Sequence, residues 1–146
     1  MIRWLAAALL LALAAAPGAA AQEQAIGQIN TASGTVSVER SGQQQPLKIG
    51  DQVYQKDVVV TGANSSVGIT FADNSVFSTG PNSRLALDQF HFDSNNFKGD
   101  MLAKLQKGTL TVVSGDIARS SPGNMKIETP TAILGVRGTT FAIEVK

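Results

Sequence analysis

The sequence predicts an all-β fold in a single domain, a β-roll or solenoid-like stack of short strands, with a β-sandwich as the alternative. Three observations point there. Alternating apolar and polar runs recur about every 8–12 residues, separated by clusters of Gly, Asn, Asp, Ser and Pro. No long stretch carries a helical period. Strands also open repeatedly at glycine, as in Gly34-Thr35-Val36-Ser37-Val38, Gly108-Thr109-Leu110-Thr111-Val112 and, more loosely, Gly138-Thr139-Thr140-Phe141. The spacings are unequal, so this is no repeat of fixed period. Glycine followed by β-branched residues is simply how many strands begin, which explains most of the echo, although such starts also suit a roll in which the chain turns a corner each time.

The chain opens with an export leader. Arg3 supplies a positive start, Leu5 to Ala16 is apolar, Pro17-Gly18 interrupts it, and Ala19-Ala20-Ala21 offers a small-residue cleavage site. The apolar run is shorter than the roughly 20 residues that span a bilayer. Cleavage is therefore expected after Ala21, leaving residues 22–48 as N-terminal strands and 49–145 as the principal domain, in the periplasm or secreted. There is no cysteine, so neither a disulfide nor the lipid-bearing cysteine of a bacterial lipoprotein is available. Removal of Arg3 leaves eleven basic and eleven acidic residues. A neutral domain without a basic cluster is a poor nucleic-acid binder, because phosphate neutralisation supplies most non-specific affinity. No second apolar run reaches spanning length, so no transmembrane segment is expected in the mature chain.

In order, Gln22 to Thr31 reads as a weakly patterned lead-in. Thr35 to Arg40 alternates, with Val36 and Val38 on one face; Ser41 to Gln45 is turn material; Pro46 to Ile49 alternates again. Val53 and Val58-Val59-Val60 continue the pattern to a turn at Thr61-Gly62-Ala63-Asn64. Ser66 to Phe71 places Val67, Ile69 and Phe71 inward, and Ala72 to Ser75 turns the chain back into Val76 to Thr79. Gly80-Pro81-Asn82 is a further corner before a strand marked by Leu85 and Leu87. Met101 to Lys107 has helix-favouring residues, but seven residues stopped by Gly108 make a poor helix, and strand is expected. Asp88 to Asp100 is weakly specified, and Asp116 to Asn124 reads as an exposed loop.

The most specified stretch is Ile127 to Val145. Thr129-Pro130 forces an extended residue ahead of the proline. Gly135 and Gly138 bracket Val136-Arg137, which allows positive φ on either side. Phe141, Ile143 and Val145 then alternate with Thr140, Ala142 and Glu144, the pattern of a half-buried strand. Arg137 could present its guanidinium to a partner carboxylate or pair internally and lock the corner; turn glycines already explain the motif, which favours the internal role.

Catalytic chemistry finds little support. The only histidine, His91, alternates to the face opposite Phe90 and Phe92, and no serine lies in a nucleophile-elbow context. One His and no Cys exclude the usual zinc sets. Asp93-Ser94-Asn95-Asn96-Phe97 begins like a calcium loop, but Phe97 takes a ligand position and the closing Glu is missing. Asp51, Asp57 and Asp73 sit beside turns, where backbone capping is their expected role. Asn64-Ser65-Ser66 matches the glycosylation sequon only as a bare tripeptide. No cofactor, no metal and no catalytic residue are expected.

With these pieces assembled, the chain resembles a FecR-type domain. The matching residues are Gly50-Asp51-Gln52-Val53, Asp57 to Gly62, Val67 to Ser75, Gly80-Pro81-Asn82-Ser83 and Gly108-Thr109. The specific ending is Thr129-Pro130 running into Gly135-Val136-Arg137-Gly138-Thr139-Thr140-Phe141. The resemblance implies an all-β periplasmic module acting through protein contact, in regulators where a cytoplasmic sigma-factor-binding segment and a membrane helix come first. The leader is expected to leave no room for those parts here. The function expected is therefore an exported, non-enzymatic protein-interaction module whose partner is another envelope protein, with Arg137 as the contact candidate. The alternative is a secreted or surface-associated structural or ligand-binding β-domain. Carbohydrate sites present exposed aromatics, but Tyr54 is the only tyrosine and Trp4 lies in the leader. Tyr54, Phe90 and Phe92 are the aromatic candidates for contact.

Overall fold

A computed structural model describes residues 23–138 and 140–146. The expected leader and Thr139 lie outside the described residues. The elements are β1 (Gly27–Ser33), β2 (Val36–Arg40), β3 (Gln43–Pro46), β4 (Gln52–Val53), β5 (Val58–Thr61), β6 (Ser66–Phe71) and β7 (Val76–Thr79). They continue with β8 (Arg84–Asp93), β9 (Lys98–Val113), α1 (Asp116–Ser120), β10 (Met125–Glu128), β11 (Ile133–Val136) and β12 (Thr140–Val145).

All twelve strands join one sheet in the order β3-β2-β5-β8-β9-β7-β6-β1-β4, with β10 and β12 on the second edge of β9 and β11 outside β10. Neighbours run antiparallel except β9 with β10. The sheet curls. Its organising strand is β9: Lys98 to Lys107 pairs with β8, while Leu110 to Val113 pairs with β7. On the second edge, β10 lies beside Met101 to Lys104 and β12 beside Gly108 to Val113. Val136 and Thr140 stand at opposite ends of that edge, yet four residues can span at most about 14 Å. A straight β9 would hold its Met101 and Val113 about 40 Å apart. It folds back at Gly108, where φ is +94°.

The result is a roll of two facing layers. One layer holds β1, β6, β7, the second half of β9, and β12; the other holds β2, β5, β8, the first half of β9, and β10. Phe71 of the first layer meets Phe77 edge-on at 4.8 Å and stacks on Phe90 of the second at 5.7 Å. Val67, Ile69, Leu110 and Val112 face Val59, Leu85, Leu87, Met101, Ala103 and Leu105 across the same core. Each of the larger side chains, Ala103 apart, contributes about 1.5–3 kcal/mol on burial.

The corners between layers stack on one another, and polar side chains fix them. Thr61-Gly62-Ala63-Asn64-Ser65 joins β5 to β6, and Thr79-Gly80-Pro81-Asn82-Ser83 joins β7 to β8. Thr61 N–H donates to Ser83 O and Asn82 N–H to Gly62 O, both at 3.0 Å. Thr61 Oγ1 accepts from Ser83 N–H (2.9 Å) and donates to Gly80 O (2.7 Å). On one side of this pair, Thr35 N–H donates to Ser65 Oγ at 2.8 Å; on the other, Thr109 N–H donates to Ser83 Oγ at 3.0 Å. Ser65 and Ser83 are buried, and Asn64 and Asn82 both hold φ +52°. A Cβ on Gly108 would run into Ser83. The two Gly-Thr strand starts are thus the outer members of one stack of corners.

Several expectations are corrected. Gln22 to Thr31 contains most of β1, hidden because a bulge between Ile29 and Thr31 breaks the period of two. Gln43 to Pro46 is an exposed edge strand without apolar residues to announce it. Lys48 to Asp51 is a turn closed by Lys48 N–H on Asp51 Oδ2 at 3.0 Å, and Ile49 is 63% exposed. The Asp88–Asp100 stretch forms the β8–β9 hairpin, in which a shift between Leu87 and Gln89 turns Phe90 inward. Asp116 to Ser120 is a helix, and its Ile117 and Ala118 are completely buried. The chain must cross the mouth of the roll from the end of β9 to the start of β10, and these side chains plug it. Gly135 lies within β11, opposite Lys126, without positive φ; only Gly138, at +101°, takes the left-handed conformation.

Candidate interaction surface

The described motif residues all lie in the last rung of the roll but at opposite ends of the β10–β11 hairpin, Thr129 and Pro130 at its turn and Arg137 and Gly138 beyond its other end. Thr129 and Pro130 make the β10–β11 turn: Thr129 N–H donates to Ala132 O (2.8 Å), and Ala132 N–H donates to Thr129 Oγ1 (3.1 Å). Proline is favoured within such turns because its φ is preset. Val136 is buried against Met125. Gly138 then turns the chain toward β12, where Phe141 lies opposite Val112 and is half-buried. Arg137 is exposed and, among the described residues, takes part in no ion pair or side-chain hydrogen bond. The internal lock expected of it is absent there.

Among the described residues, β11 extends the second layer one strand beyond β10 while the first layer reaches only β12, so no described strand lies opposite β11. Leu134 pairs with the fully buried Ile127 and shares its inward face, yet is 38% exposed. Ile133, on the other face, is 67% exposed. β12 pairs with β9 alone among the described residues and leaves its second edge free, with Phe141, Ile143 and Val145 half-buried and Thr140, Ala142 and Glu144 exposed. Open strand edges are templates for pairing unless short, charged or covered. Sequence reasoning missed Ile133 and Leu134. Their only signal was two large apolar residues immediately after a Thr-Pro-Thr-Ala turn.

The remaining candidates are dispersed. His91 is exposed, as alternation requires, while Phe90 is in the core. Phe92 lines a cleft of about 540 Å³ at the mouth of the roll, with Glu23, Ile26, Phe90, His91 and Lys98. Tyr54 is half-buried with the Arg40 guanidinium 4.7 Å above its ring. Asp57 is buried and accepts two bonds from Arg40, at 2.8 and 2.7 Å, and one from Tyr54 N–H. That pairing raises the Arg40 pKa above its ordinary range, against a smaller opposing effect of burial. Asp73 accepts from Ser75 Oγ at 2.5 Å and from Ser75 and Ile117 N–H. These acids therefore cap backbone and brace corners. Among the described residues no group of three His, Asp or Glu is placed to hold a metal ion. No described helix is long and apolar enough to cross a membrane.

A solved structure described as a cell surface anchoring domain is 37% identical over 42% of this chain and 82% of its own, with a TM-score of 0.41. No curated protein matches the chain. The model of the FecR protein family matches residues 57–146, which include both Thr-Gly-x-Asn-Ser corners, β9 and the complete C-terminal motif. The chain belongs to the FecR family.

Proposed function

We propose that this protein is an exported, non-enzymatic interaction module that engages another envelope protein, working in the periplasm or outside the cell. The observation that carries the reading is the C-terminal end of the roll. There, among the described residues, two strands keep free edges, two large apolar side chains stay in water, and Arg137 has no internal ion pair. Family membership supports an envelope role in regulation. Residues 1–21 supply the export leader in this reading.

The test is in-cell crosslinking of the tagged protein followed by mass spectrometry. One abundant envelope protein, lost when the C-terminal end is mutated, is the expected capture. Arg137→Ala is expected to weaken that capture while leaving the melting temperature unchanged. A large drop in melting temperature with capture intact would return Arg137 to a structural role. A second reading, a surface-associated ligand-binding β-domain, is favoured by the mouth cleft with Phe92 and His91 on its wall. Retention of the protein on envelope polymer, with no protein captured, would select it.

A further inference from the structure

Each rung of the roll pairs one strand from each layer: β1 with β2, β6 with β5, β7 with β8, the two halves of β9, and β12 with β10. Among the described residues β11 begins another rung in one layer only. We infer that the vacant half-rung beside β12 and opposite Leu134 receives one extended strand of a partner protein, with alternate residues apolar and a basic residue beside Glu144. The inference rests on the interaction reading above and names the chemistry of the partner.

Two independent features define the occupant. Strand addition needs a row of free backbone donors and acceptors, and the outer edge of Thr140 to Val145 supplies one. The inner side of the vacancy is apolar, since Leu134 stands exposed across from it and Phe141, Ile143 and Val145 are only half-covered. A strand there must turn alternate apolar side chains inward and leave the intervening ones in water. On the outer side, β12 presents Thr140, Ala142 and Glu144. Glu144 is exposed and forms no ion pair among the described residues. Directly opposed opposite charges favour a strand pair and like charges disfavour it, so a Lys or Arg is favoured next to Glu144. A second copy of β12 satisfies this poorly, because its sequence Thr-Phe-Ala-Ile-Glu-Val offers an acid and no base.

The experiment uses protein purified after expression of the full chain, isotopically labelled, and a synthetic extended peptide alternating Val and Thr with one central Lys. Amide shifts confined to residues 140–145 and to Leu134 are expected, together with slowed exchange along β12. Replacing a central Val of the peptide by Pro is expected to weaken binding about tenfold, as the ladder loses a donor and the strand its shape. Glu144→Lys should reverse the preference, so that a peptide with Glu in place of Lys binds about tenfold better than the original. Leu134→Asp should abolish binding while the protein stays folded, with a modest fall in melting temperature because the side chain is 38% exposed and lies beside the buried Ile127. Shifts mapping to the mouth cleft, equal binding of the proline peptide, or no reversal by Glu144→Lys would overturn the inference. So would concentration-dependent dimers dispersed by Leu134→Asp, which would make the occupant a second copy. A partner captured in cells through a different face would sink this inference and leave the interaction reading standing. Failure to capture any protein would sink that reading as well.

Discussion

At the scale of single residues, two threonines in matching turns make opposite predictions. Thr61 and Thr79 open Thr-Gly-x-Asn-Ser corners and both are buried. Thr61 Oγ1 is saturated by Gly80 O and Ser83 N–H, whereas Thr79 Oγ1 is the buried side-chain polar atom without a partner among the described residues. Thr61→Val should cost about 1–3 kcal/mol by orphaning a buried donor and acceptor. Thr79→Val removes an unsatisfied hydroxyl and should be neutral or stabilise by up to about 1 kcal/mol. Thermal or urea denaturation separates the two; equal losses would contradict the assignment of the corner bonds. Charge gives a second residue-level prediction. Glu39 sits on the Arg84 guanidinium, with both oxygens bonded at 2.7 and 2.6 Å, and this holds its carboxyl below the ordinary value of 4.5. A folded-state value lowered in this way stabilises the protein above the unfolded value, and that stability is lost as pH falls below 4.5 through the folded value. Arg84→Gln should flatten this part of the acid limb, leaving stability near neutral pH changed only slightly because the pair is solvent-exposed.

At the scale of elements, β9 and α1 show what local patterning can and cannot tell. Met101, Ala103 and Leu105 alternate with their neighbours, and Gly108 punctuates the run, so a strand followed by a corner was legible. That both runs are halves of one 16-residue strand was not, since either side of a bend carries the same period. The corner stack left a trace in the recurrence of Thr-Gly-x-Asn-Ser, but its meaning depends on hydrogen bonds between turns distant in sequence. Within the strands expected over 22–48, the positions of β1 and β3 were not legible, for the reasons that make one irregular and the other exposed. The helix α1 was hidden by Ser-Ser-Pro-Gly-Asn, which reads as loop, although Ile117 is completely buried. Ile117→Ala should destabilise by about 2–5 kcal/mol, as the mouth of the roll has no other large side chain from this crossing to fill the space. A loss below about 0.5 kcal/mol, the level typical of surface changes, would mean that α1 is no plug.

At the scale of the whole molecule, the described residues leave the two ends of the roll unlike, with a strand in each layer at one end and in one layer only at the other. Beyond β1 and β2 it is capped by β4 and β3, and the exposed residues of β3 are three glutamines and a proline. Such an edge resists apolar pairing. The opposite end carries Ile133 and Leu134 in water beside a vacant strand position. The sequence singled out this end through Thr129-Pro130 and the Gly-Val-Arg-Gly run, and the described members of both segments lie in the last rung, at opposite ends of the β10–β11 hairpin. What it could not convey was the vacancy, because a missing strand is a property of the assembled sheet. The most direct measurement is a scan of photo-crosslinking residues in living cells, placed singly at Leu134, Ala142 and Glu144 and, as controls, at Gln44 on β3 and Thr70 on the outer face of β6. Capture of one envelope protein from the three C-terminal positions and not from the controls is the predicted result. The same capture from Gln44 or Thr70, with none from Leu134, Ala142 or Glu144, would contradict the account.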